Sequence, residues 1–226
     1  MSRKMSTRGL SKGRRHSPKR RGKRVLISCN AKVTEPRYFR ALCEELGISG
    51  ALIHIVTSDA GKDPLTLVRG VAKELERDRV EAKKEGFEPY HSAWAVADAD
   101  RFGLSEAQAL ARRNGIELVI SNPCFEVWLI DHRCVCPENC ADAKSCQDYA
   151  AKVGVVESTD HKRASRSKMK DVSIPSIKGR VQEALANADR HNTQQKKLVR
   201  DSDPDNKAAY SVWTDAAKLV RALMEQ

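Results

Sequence analysis

A chain of 226 residues with 40% hydrophobic side chains is long enough to bury one ordinary globular core with extensions. It contains no run of about 18 apolar residues, which excludes an apolar membrane-spanning helix, and its basic N-terminus lacks the apolar stretch of a secretory signal. A soluble, cytoplasmic protein is the expectation. The net charge of +11 is uneven: residues 1–24 hold 11 of the 41 Lys and Arg and none of the 30 Asp and Glu, so the remainder is balanced.

That first segment is rich in Ser, Gly, Lys and Arg and offers little to bury, so residues 1–24 are expected to be a disordered basic arm and residues 25–226 the folded domain. Such an arm either grips phosphates in a salt-sensitive way or simply keeps the protein in solution. "KRVLISCN" (23–30) then reads as a buried strand. "TEPRYFRALCEELG" reads as a helix, with Thr34 as N-cap, Pro36 in the first turn, Tyr38, Phe39, Leu42 and Leu46 at helical spacing, and Gly47 as its stop. "ALIHIV" (51–56) is a second strand, and a loop leads to a long helix opened by Pro64 and running to about residue 84, with Leu65, Leu67, Val68, Val71, Leu75 and Val80 periodic. "SAWAVAD" is a third strand ending at Asp98. A short helix follows, with Ser105 as N-cap and Gly115 at its end.

"IELVIS" (116–121) is the fourth strand, and "NPCFEVWLIDH" begins another helix at Pro123. An irregular Cys-bearing segment (about 133–147) and a polar loop (about 157–175) come next. Two late helices close the chain, one over about 177–199 and the other over about 208–224. Strands alternating with helices predict an α/β fold with a mainly parallel central sheet flanked by helices.

In open α/β sheets, sites form beyond the carboxyl ends of the strands. Three ends carry suggestive groups: Asn30 and Glu35 after the first strand, Asp98 and Asp100 after the third, Asn122 and Glu126 after the fourth. Carboxylate and amide oxygens are the hard donors that Mg²⁺ prefers, and in extended backbone Asp98 and Asp100 share a face while Ala99 turns away. Aspartates after a strand also form turns and caps, so the pair alone leaves both readings open.

"VLISCNAKVTEPRYFRAL", "GKDPLTLV", "VADADRF" and "SNPCFEVWLIDH", in that order over about residues 23–132, resemble the successive motifs of the RloB family, with a weaker echo in "PDNKAAYSVWTDAAKLVRAL". The resemblance implies a Toprim-like fold and a place in bacterial restriction or abortive-infection loci. It also implies Mg²⁺- or Mn²⁺-dependent cleavage of phosphodiester bonds in DNA, RNA or tRNA, and an ATPase partner of the AAA or ABC type. Asp98 and Asp100 match the family's metal-holding pair, Glu126 matches the glutamate of its "SNPCFE" motif, and Glu35 is retained. Asn30 stands where a glutamate is usual, and Ala31 where a glycine is usual. The resemblance therefore implies either a nuclease with Asp98, Asp100, Glu126 and Glu35 as catalytic groups and Asn30 and Asn122 as further donors, or a catalytically weakened nucleic-acid-binding or regulatory subunit.

"DHRCVCPENCADAKSC" gathers four cysteines within a short polar stretch, the density of a structural Zn²⁺ site with Cys134, Cys136, Cys140 and Cys146 as ligands. Their spacing is not that of paired knuckles, and His132 matches a family histidine with another task. Trp128 reads as core, and His54 as a buried or edge-strand residue. Lys162, Arg163, Arg166, Lys168 and Lys170 form a second basic cluster, either a phosphate clamp or a solvated loop. With only 5% aromatics, any nucleic-acid contact is expected to be directed at the backbone.

Overall fold

A computed structural model of the chain describes residues 23–57, 63–99, 101–157 and 171–226. Residues 1–22 of the basic arm, Asp100, and the cluster Lys162, Arg163, Arg166, Lys168 and Lys170 lie outside the described residues. The first half alternates as the sequence predicts: β1 (Val25–Cys29), α1 (Thr34–Glu45), β2 (Ile53–Thr57), α2 (Pro64–Glu85), β3 (Ser92–Asp98), α3 (Ser105–Arg113), β4 (Ile116–Asn122) and α4 (Glu126–Asp131). After it come α5 (Ala143–Lys152), a short α6 (Ile174–Ile177), α7 (Val181–His191), α8 (Gln194–Ser202), β5 (Trp213–Thr214) and α9 (Ala216–Met224).

The sheet order is β2-β1-β3-β4-β5, with β1 to β4 parallel and β5 antiparallel to β4. Both faces are covered, so the strands read as near-continuous apolar runs. On β3, Trp94 and Val96 face the layer that holds Tyr38, Phe39 and Leu42 of α1 and the apolar residues of α4, α7 and α9. Ala93, Ala95, Ala97 and Ala99 face the other layer, against Leu67, Val68 and Val71 of α2 and Ala107 and Ala111 of α3. Wholly buried residues such as Leu26, Ile27 and Phe39 each contribute roughly 2 kcal/mol by leaving water.

Helix ends explain several boundaries. The carboxylate of Asp63 accepts the Thr66 N–H at 3.0 Å, Pro64 occupies the first turn of α2, and Gly86 closes it at φ 75°, a conformation glycine adopts without strain. Val80 is 60% exposed, so the buried stripe of α2 stops short of it. Neither Thr34 nor Ser105 caps its helix as expected: Thr34 is buried inside the first turn of α1, and the N–H of Leu104 and the hydroxyl of Ser105 donate instead to the carboxylate of Asp205, about a hundred residues away.

The late chain also departs from the sequence reading. The expected helix over 177–199 breaks at Asn192, whose amide donates to Thr214 O at 2.7 Å and accepts from Thr214 N–H at 3.2 Å; Thr193 then caps α8. The expected helix from 208 starts only at Ala216. A 3₁₀ turn (Lys207–Tyr210) and the two residues of β5 precede it. The Cys-bearing segment is not all irregular, because α5 begins inside it with Asp142 as its cap. Arg200 of α8 is buried and joins three elements: its guanidinium donates to Asp215 at 2.6 Å, to the Gln108 side chain at 2.8 Å and to Leu118 O at 3.3 Å.

Candidate functional site

The strand order reverses at β1: β2 lies on one side of it and β3 on the other. The crevice beyond the carboxyl ends of β1 and β3 is therefore the topological switch point, where α/β sheets bind ligands. Both ends carry the oxygen-bearing side chains singled out in the sequence. Asn30 follows β1, and its backbone N–H donates to Val96 O at 2.9 Å, which seats it against β3 two residues before Asp98.

Asp98 is the last residue of β3. By alternation with Trp94 and Val96 it faces the α1/α4 side, where its Oδ1 accepts the Phe125 N–H at 2.9 Å. That bond helps fix the direction of a group with about four acceptor positions. The N–H of Ala99 continues the β4 ladder to Ser121 O at 2.8 Å, holding the strand end in register.

Glu126 opens α4 and is 5% exposed. It shares a neighbour with Asp98, the buried thiol of Cys124. A hydrogen bond with Cys146 pulls that thiol down, but burial and the fields of Glu126 and Asp98 push it well above the ordinary thiol value. Glu35, in the first turn of α1, is 1% exposed and stands by the end of β1. Burial chiefly, and Glu35 in addition, raise the Cys29 thiol well above its usual value. The structure thus brings Asn30 and Glu35 to the end of β1, and Asp98 and Glu126 to the ends of β3 and β4.

Asn122 ends β4. Its amide N–H groups go to Lys207 O at 2.9 Å and Tyr210 O at 3.1 Å, so it pins the 3₁₀ turn to the end of β4. Lys207 reaches back across the same junction, donating to Ala99 O at 2.7 Å and Phe102 O at 2.5 Å. It thereby ties down both flanks of the loop after β3. Sequence reasoning did not single out Lys207. Its one signal was its place in "PDNKAAY", the weak echo of the resemblance. A cleft of about 460 Å³ adjoins this junction, lined by Asn122, Pro123, Asp142, Lys207 and Ser211 among others.

The remaining sequence candidates divide clearly. Trp128 is wholly buried and packs edge-on against Tyr38, so it belongs to the core. His54 sits on edge strand β2, exposed, with its ring bonded to the Tyr90 hydroxyl. His132 is buried, and burial lowers its pKa to about 4. Its Nδ1 lies 3.0 Å from Trp128 O, which can only accept, so the neutral ring carries its proton there and Nε2 accepts from Tyr38 Oη at 3.3 Å. This histidine fastens α4 to α1. Of the four cysteines expected together, the sulfurs of Cys136, Cys140 and Cys146 lie within 4.8 Å of one another, all buried, while Cys134 is half-buried with its sulfur 3.7 Å from the Tyr149 hydroxyl.

The strand ends offer oxygen donors of the kind a hard divalent cation takes, the carboxylates of Asp98, Glu126 and Glu35 and the amide oxygen of Asn30. Among the described residues, however, the three ligand atoms that lie within 4.8 Å of one another are the sulfurs of Cys136, Cys140 and Cys146, not these carboxylates. The thiols of Cys29 and Cys124 beside them are raised well above the ordinary thiol value by burial and by those carboxylates. No described helix is long and apolar enough to cross a membrane.

A family model described as RloB-like protein matches residues 25–223, most of the chain. No curated protein and no solved structure matches it.

Proposed function

The chain belongs to the RloB-like family, and from that premise we propose that it is a Mg²⁺-dependent nuclease that hydrolyses phosphodiester bonds of DNA or RNA in bacterial phage defence. The observation that carries the reading is the position of Asp98, at the switch-point end of β3, oriented by the Phe125 N–H and accompanied by Glu126. Mg²⁺ (or Mn²⁺), held by Asp98 together with Asp100, would polarise a phosphoryl oxygen and lower the pKa of the attacking water. Glu126 and Glu35 serve as further ligands or handle the proton as water attacks phosphorus and the P–O bond to the leaving oxygen breaks. Asn30 contributes an amide oxygen but no proton-accepting carboxylate. Lys207 keeps the loop after β3 in place.

Substrate binding is expected to be electrostatic. The eleven Lys and Arg of residues 1–24 supply charge for phosphate contacts, and few aromatics are present to stack on bases. In the same reading the protein works in the cytoplasm with an AAA- or ABC-type ATPase.

A second reading is favoured by Asn30, which stands where the family motif usually has a glutamate: a nucleic-acid-binding or regulatory subunit of a defence complex that no longer cuts. Labelled duplex DNA, single-stranded DNA and tRNA, incubated with the full chain with and without the ATPase, separate the two. The nuclease reading predicts cleavage that needs Mg²⁺ and is lost in Asp98→Ala, with binding by fluorescence anisotropy unchanged. Equal binding by both proteins with cleavage by neither supports the second reading. Absence of both binding and cleavage removes both.

A further inference from the structure

We infer that Cys134, Cys136, Cys140 and Cys146 hold one structural Zn²⁺, and that this centre braces the segment that presents the Phe125 N–H to Asp98. Three of the four sulfurs are already assembled. Cys136 and Cys140 lie in the loop between α4 and α5, Cys146 in the first turn of α5, and each is at most 2% exposed. Their sulfurs lie within 4.8 Å of one another. Tetrahedral Zn²⁺ with bonds of 2.3 Å places its sulfurs about 3.8 Å apart, so a small contraction completes the geometry.

The backbone that carries them is pre-set. Asp131, wholly buried, accepts the Cys136 N–H at 3.1 Å on one oxygen and is bonded to His191 at 2.8 Å on the other. The N–H of Cys140 closes a turn onto Pro137 O at 2.9 Å, and Asp142 caps α5 through the N–H and hydroxyl of Ser145. Ligands oriented by such supporting bonds are the mark of a metal site rather than of stray cysteines. All three thiols sit in the main hydrophobic cluster, where one divalent cation would turn them into a cross-link between loop and helix.

Two thiols border the trio, and their places in the chain distinguish them. Cys124 touches Cys146 but belongs to the segment between β4 and α4, beside Glu126 and Asp98. Cys134 is the neighbour of Cys140, lies in the same loop as Cys136 and Cys140, and has its sulfur 3.7 Å from the Tyr149 hydroxyl. It is also half-buried, which gives the ion a route in. Cys124, in contact with Cys146 and beside Glu126, then joins the metal centre to the segment that carries Phe125.

The proposal is independent of the nuclease reading, since metal content needs no substrate. Elemental analysis of the full chain purified without chelator or added zinc is expected to give about one Zn²⁺ per chain, released by a thiol-reactive mercurial. Cobalt exchanged into the wild-type site should show strong thiolate-to-metal charge transfer and tetrahedral ligand-field bands of a four-thiolate set. Cys140→Ser and Cys146→Ser should each lose the metal, Cys134→Ser should keep a weakened three-thiolate site, and Cys124→Ala and Cys43→Ala should retain the full one. Wild-type protein that is metal-free and takes up neither zinc nor cobalt overturns the proposal, whatever the variants do. So does a disulfide among Cys136, Cys140 and Cys146 in freshly prepared protein. Loss of the four-thiolate spectrum in Cys124→Ala with its retention in Cys134→Ser overturns the choice of fourth ligand.

Discussion

Replacing Arg200 by Met removes the charge that joins α8 to the sheet while keeping most of the side-chain volume. The guanidinium of Arg200 is 7% exposed and its partner Asp215 is 16% exposed, so the pair is shielded from water. Breaking such a pair by removing one partner costs about 3–5 kcal/mol, because the remaining charge is stranded. Here the stranded carboxylate keeps two donors, the Ile120 N–H at 3.0 Å and the Trp213 indole N–H at 2.9 Å, which places the cost at the lower end, about 3 kcal/mol. The Gln108 side chain and Leu118 O lose their partners as well. With a urea slope of about 2 kcal/mol per M, the unfolding midpoint should fall by about 1.5 M. Adding Asp215→Asn removes the stranded charge, so the double variant should be more stable than the sum of the single effects by about 2 kcal/mol. A midpoint shift below about 0.3 M for Arg200→Met, or strict additivity of the two changes, would refute the view that this buried pair clamps the C-terminal helices onto β4.

Two further outcomes follow from the same geometry. Asp205→Ala removes the cap of α3 and should cost about 1 kcal/mol in urea unfolding. The Ser105 hydroxyl and the Leu104 N–H hold the Asp205 carboxyl below its usual value, so its contribution is present above the ordinary carboxylate range and is lost as pH falls through the lowered value. Wild type and variant should accordingly converge in stability in acid, and a constant gap down to the lowest pH would contradict this cap. Asn30→Glu restores a carboxylate beside β3. It should raise Mg²⁺-dependent cleavage by about 10²-fold if proton transfer limits the rate, and an unchanged rate in a folded variant would show that Asn30 is not the missing base.

Much of the architecture was legible because period and punctuation agreed. The strands around Ile27, Ile55, Val96 and Val119 are short apolar runs, and Pro64 and Gly86 bracket α2 as their backbone preferences demand. The strand ends were legible for the same reason: Asn30 and Asp98 each follow an apolar run directly, and Glu126 opens the helix that follows β4. What escaped were contacts between distant parts of the chain. Asp205 caps α3, Asn122 and Lys207 cross-tie β4 and the loop after β3, and Asn192 pairs with Thr214, all over long separations that no local pattern encodes. The break at Asn192 was invisible because Gln194 to Val199 continues an acceptable helical composition; only Thr214 makes the turn worthwhile. β5 is two residues long, too short for alternation to register. Cys124 lies beside Cys146, Glu126 and Asp98, contacts between separate parts of the chain that no local pattern encodes.

The central claim, that a divalent cation sits between the ends of β1 and β3, is tested most directly by iron-directed cleavage of the chain itself. Fe²⁺ replaces Mg²⁺ at such oxygen sites, and with ascorbate and peroxide it cuts the nearby backbone, so the fragments mapped by mass spectrometry report where the ion lies. Cuts next to Asn30, Asp98 and Phe125–Glu126, suppressed by excess Mg²⁺ and absent in Asp98→Ala, are the predicted result. Cuts confined to other parts of the fold, or a pattern indifferent to Asp98, would contradict it.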